Sequence, residues 1–83
     1  MNITDVNVKK ISTGGSLKAA ASITLDNDFV IHDIKVIDGK DGLFITMPSK
    51  KLPNGEFKDI AHPITKEARQ EINDLVLNKY KEV

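Results

Sequence analysis

Two apolar segments, residues 17–25 and 29–37, stand only three residues apart, and the three between them are Asp26, Asn27 and Asp28. Asn and Asp tolerate left-handed backbone and bond their own main chain, so this gap reads as a tight turn. Two extended runs joined so closely can only fold back on each other as antiparallel neighbours. In residues 17–25, Leu17, Ala19, Ala21, Ile23 and Leu25 alternate with Lys18, Ala20, Ser22 and Thr24, the period of a strand. The preceding segment, residues 3–11, alternates too, with Val6 and Val8 on one side and Asp5, Asn7 and Lys9 on the other. Thr13-Gly14-Gly15-Ser16 supplies a hairpin turn between these two segments.

The third segment differs. Strict alternation puts Phe29, Ile31 and Ile37 on one face and Val30, Ile34 and Val36 on the other, so it reads as a central strand covered twice. Residues 38–42 turn the chain into a fourth strand, 43–47, which Pro48 ends by removing a ladder donor. Residues 48–53 read as an exposed loop, and Leu52-Pro53-Asn54-Gly55-Glu56 as a turn into a short segment at 57–60. His62-Pro63 disfavours helix, after which Thr65 is placed to cap a helix over 66–81 whose stripe is Ala68, Ile72, Leu75, Val76 and Tyr80. The expected fold is α+β: an antiparallel sheet of four to five strands with one C-terminal helix, in a single domain over residues 1–83.

A partner follows from the geometry. Four strands make a sheet about 20 Å wide, of which one helix covers about 10 Å on one face. A third strand apolar on both sides would then stay wet in a lone chain, so a homodimer or larger homo-oligomer built through the sheet is expected.

Charge narrows the function. Twelve Lys plus Arg balance twelve Asp plus Glu, five of each sign up to residue 40 and seven of each after it, so no global field steers the chain to nucleic acid or anionic lipid. There is no Cys, hence no disulfide or thiolate site, and a reducing cytoplasm fits. No apolar run approaches a membrane span, and the start lacks a signal-peptide core, so no membrane partner is expected.

Catalytic chemistry finds little support. His32 and His62 belong to no hydrolase, kinase or metalloprotease pattern, and His32 reads as a partly buried structural residue within a strand. Asp33, in mid-strand, needs a partner if buried, and Lys35 on the same strand is the candidate. No cofactor, metal or enzymatic activity is expected. Local basic residues are more informative: Lys50, Lys51 and Lys58, then Lys66, Arg69 and Gln70 on the first turns of the helix, away from its stripe. A lysine-rich loop beside a helix start can neutralise neighbouring phosphates.

Residues 21–26, 29–39, 42–44, 47–50 and 55–64, including Val30-Ile31-His32-Asp33-Ile34, Met47-Pro48-Ser49-Lys50 and Asp59-Ile60-Ala61-His62-Pro63-Ile64, closely resemble the SpoVG (stage V sporulation protein G) family of bacterial septation regulators. The likeness spans nearly the whole chain. It implies a small dimer that binds DNA, and in some members RNA, and regulates gene expression, septation, sporulation or virulence traits. Where the family often has Arg, this chain has Lys35, Lys51 and Lys58. Lysine contacts phosphate as a point charge and lacks the fork that reads guanine. The competing expectation is a protein-interaction module of cell division that does not bind nucleic acid directly.

Overall fold

The computed structural model describes residues 2–11 and 14–83. Along these run β1 (Ile3–Lys10), β2 (Leu17–Leu25), β3 (Phe29–Gly39), β4 (Gly42–Thr46), β5 (Ser49–Lys51), β6 (Phe57–Asp59) and α1 (Lys66–Glu82). The first four strands pair antiparallel in chain order, while β5 and β6 form a separate two-stranded ribbon. The fold is thus α+β, an antiparallel sheet with one C-terminal helix.

Local chemistry accounts for the joints. Asp26 and Asn27 have φ of 52° and 56°, and the Asp28 amide donates to the Leu25 carbonyl at 2.9 Å, the geometry of a type I′ hairpin turn. In the turn between β1 and β2, Thr13 lies outside the described residues. Thr65 caps α1, its Oγ1 accepting from the Ala68 amide at 3.1 Å, and Glu67 complements the positive first turn.

Strict alternation fails in β3. Ala21 pairs with Ile34 and Ile23 pairs with Ile31, so His32 and Asp33 both stand opposite Ser22. This is a bulge, and Asp33 adopts φ of 64° within it. One extra residue inverts the faces on either side of it. Ile31 therefore joins Ile34 and Val36 on the helix side, while Val30, Lys35 and Ile37 turn to the open side. The strand is covered once, not twice. Asp33 and His32 are both exposed, and no ion pair joins Asp33 to Lys35 among the described residues, which corrects the buried-pair reading.

The helix also covers more than expected. It touches both β1 and β4, the two edges of the sheet, so it crosses the strands instead of lying along one of them. Seventeen residues at 1.5 Å each give about 25 Å, enough to span four strands at 4.8 Å. Ala19 and Ala21 on β2 are buried and present only a methyl group, which lets Ile72 and Val76 of the helix settle against Ile23, Ile34 and Val36. Leu75, expected in the stripe, is exposed, and Leu77 packs against the core in its place.

Candidate nucleic-acid interface

The 48–53 segment, expected as an exposed loop, holds a strand at residues 49–51, and Pro48 is buried. Ser49–Lys51 pairs with Phe57–Asp59, with Ser49 opposite Asp59, Lys50 opposite Lys58 and Lys51 opposite Phe57. The intervening turn fixes this register: the Leu52 amide donates to the Glu56 carbonyl at 2.7 Å and the Gly55 amide to the Leu52 carbonyl at 2.9 Å. The Asn54 Oδ1 accepts from the Glu56 amide at 3.0 Å, and Gly55 takes a φ of 89° that a side chain would resist. At the base, the Ile60 amide donates to the Pro48 carbonyl at 2.8 Å.

The ribbon projects into solvent, and every residue of both strands is exposed. Lys50 and Lys58 share one face with Cβ atoms about 5 Å apart, as directly opposed residues must. Two like charges so placed repel, and no carboxylate bridges them among the described residues. Lys51 belongs to the other face, beside Phe57.

On α1, Lys66, Arg69 and Gln70 occupy the first turns and are exposed, spaced so that all three share one side of the helix. Gln70 donates through Nε2 to Asp74 Oδ1 at 2.8 Å, which orients its amide along the helix. No hydrogen bond or ion pair ties the ribbon lysines to this helix group among the described residues. The structure thus pairs Lys50 with Lys58, sets Lys51 on the opposite face, and holds the helix trio as a second group.

Sequence reasoning missed a groove between α1, the 61–65 segment and the sheet. Its volume is about 580 Å³, with Leu25, Ile31 and Met47 forming the floor and Glu67 and Glu71 among its polar lining. Glu67, Ala68, Glu71 and Ile72 follow one another at helical spacing, which is the signal that an acid-edged apolar strip offers in a sequence. Phe57, Ile60 and Ile64 are 70%, 69% and 94% exposed, an uncovered apolar run leading to this groove. No group of three or more metal-ligating side chains occurs among the described residues. Among the described residues no helix is long and apolar enough to cross a membrane.

The SpoVG family profile matches residues 1–82. The chain belongs to the SpoVG family. Proteins called "Putative septation protein SpoVG" are similar along its whole length. The one from Clostridium perfringens is 59% identical over 83 residues, covering 100% of this chain and 92% of the relative. The one from Clostridium novyi is 60% identical, covering 100% and 83%. That of Bacillus velezensis is 58% identical over 80 residues, covering 96% and 82%. The SpoVG likeness carried by residues 29–39 and 55–64 is therefore a family relationship.

Proposed function

We propose that this SpoVG-family chain is a cytoplasmic, dimeric regulator that binds DNA or RNA through the β5–β6 ribbon and the start of α1, in the septation, gene-expression and sporulation or virulence role of its family. The observation that carries the reading is the Lys50–Lys58 pair. Folding alone gains nothing from two opposed ammonium groups on an exposed ribbon, whereas a phosphate between them removes the repulsion and gains two contacts. Lys66 and Arg69 extend the same chemistry, and Gln70 adds a polar contact. Zero net charge is compatible with this, because the ribbon strands and their turn hold Lys50, Lys51 and Lys58 against Glu56 and Asp59, a local positive excess. The test is binding against salt: affinity should fall steeply, and Lys50→Ala with Lys51→Ala should flatten the log-log slope by roughly one unit per lost contact. An unchanged slope and affinity would remove both residues from the site.

The dimer now rests on a different surface from the sheet. An isolated two-stranded ribbon is marginal in water, and this one leaves Phe57 uncovered. The apolar groove with its Glu67 and Glu71 matches a lysine-bearing ribbon in both hydrophobicity and sign. A second copy supplies that ribbon, and the exchange is reciprocal in a two-fold dimer.

The same groove supports a second reading, in which a basic amphipathic segment of a division protein docks there and nucleic acid plays no direct part. Salt-insensitive capture of one defined protein, with no DNA or RNA shift at physiological ionic strength, would decide for it.

A further inference from the structure

The open face of the sheet is left without a role by the ribbon and the helix. Its register places Lys9 opposite Ala20, Ala20 opposite Lys35 and Lys35 opposite Thr46, one row across all four strands. Lys9 and Lys35 thus flank a single alanine, about 10 Å apart across two strand spacings. Neither is ion-paired among the described residues. The acids on this side are Asp33, two residues from Lys35 along β3, and Asp5, four residues from Lys9 along β1, both on the side of the row away from Phe44.

Next to the row stands an aromatic ring. Phe44 pairs with Ile37 and is 45% exposed. A Cβ built on Gly39 would come within 2.6 Å of Phe44 Cε1 and 3.2 Å of Cδ1, so the ring lies over the Gly39 backbone, where only glycine leaves room. The Cδ1–Cε1 edge of the ring meets the strand, and nearly half of the residue's surface stays open to solvent. Beside it stand Ile37 and Thr46, and the next position across the row is Ala20, all half-buried.

We infer that this face binds single-stranded nucleic acid, with one unpaired base stacked on Phe44 and the backbone held by Lys35 and Lys9. A ring laid on a sheet, with amines beside it and low side chains between, is what base stacking with phosphate neutralisation requires. A duplex buries its base faces and cannot use the ring. A second copy is a poor occupant, since two such faces would oppose their lysines. RNA and DNA single strands offer the same stacking and phosphate chemistry, and Thr46, two residues from Phe44 on the same strand, provides a partner for a 2′-hydroxyl. This inference rests on the nucleic-acid reading of the chain but uses residues separate from the ribbon.

The experiment is fluorescence anisotropy of the full chain with labelled oligo-U, oligo-dT and a duplex of equal length. Phe44→Leu, which keeps apolar bulk and removes the π face, should weaken both single strands about ten-fold, a larger loss than for the duplex. Lys35→Gln should lower the single-strand salt slope by about 0.7. Circular dichroism melts check folding, and Lys35→Gln, at an exposed position, keeps the test open if Phe44→Leu unfolds. Single-strand affinities within two-fold of wild type for both variants would overturn the inference. If Lys50→Ala with Lys51→Ala abolished binding of every oligonucleotide in that case, the ribbon reading would stand without it. Wild-type protein that binds none of the three probes would sink both.

Discussion

The helix-covered side of the sheet and the β5–β6 ribbon obey opposite rules. Ile23, Ile34, Val36 and Val76 have no exposed surface, while every residue of the ribbon is exposed. The first region is held by burial, at about 25 cal/mol per Å² of apolar surface removed from water. The second is held by its turn: two backbone bonds across Leu52–Glu56, the Asn54 side chain and one left-handed glycine. Stability therefore resides in one region, and the surface proposed for contact in the other. A chain of 83 residues with one shallow core has little stability in reserve, so changes in the two regions should separate cleanly.

The largest effect tests the covered side. Ile34→Ala removes a side chain with no exposure from the centre of the core, and should cost about 2–5 kcal/mol in urea unfolding, enough to unfold a marginal domain at 37 °C. Val76→Ala on the helix should behave similarly at the lower end of that range. A loss below about 1 kcal/mol at Ile34 would mean that the crossing helix does not bear on β3.

How much of this division is legible in the sequence depends on whether a signal is local. The Asp26–Asp28 turn, the Val6 and Val8 face and the Thr65 cap are each specified within a few residues, and each forms where it is read. The bulge is not, because a single inserted residue changes no composition. Its only trace is Asp33, one of the few residue types that accept left-handed backbone. The error then propagates: counting by twos through residue 33 sends Ile31 to the wrong face, makes β3 look doubly apolar and makes a dimer through the sheet look obligatory. The helix direction is equally hidden, since Ala19 and Ala21 show that something approaches closely but not at what angle. β5 escapes because Ser49-Lys50-Lys51 has no apolar residue to alternate, and its pairing comes from the turn beyond it. At the site, the basic residues are readable one by one, but the opposition of Lys50 and Lys58 is a matter of register.

Smaller effects sharpen the boundary between the regions. Asp33→Val puts a β-branched side chain at φ of 64° and should cost about 1–2 kcal/mol, through strain and not lost burial, because the position is exposed. Thr65→Ala removes the cap on the Ala68 amide and should cost about 1 kcal/mol, seen as an earlier loss of helical signal on heating. Lys58→Glu turns a like-charged cross-strand pair into an opposite one. It should stabilise the ribbon by a few tenths of a kcal/mol while weakening oligonucleotide binding measured by anisotropy. A gain in stability coupled to a loss of binding separates a functional lysine from one that only aids solubility.

The smallest change in single-chain stability should come from Phe57→Ser. Its ring is 70% exposed, so the lone chain loses almost no buried area, and chemical unfolding in dilute solution should move by less than about 0.5 kcal/mol. If the ribbon of one copy fills the groove of another, the same substitution removes the apolar anchor of the contact, and sedimentation at micromolar concentration should shift from dimer to monomer. Glu71→Lys, which reverses the sign in the groove, should act in the same direction. Wild-type protein that sediments as a monomer would break the dimer outright. A dimer indifferent to both changes would mean that the groove is not where the copies meet. Phe57 is thus the residue at which the two rules diverge most: nearly silent for the fold of one chain, and decisive for the proposed joining of two.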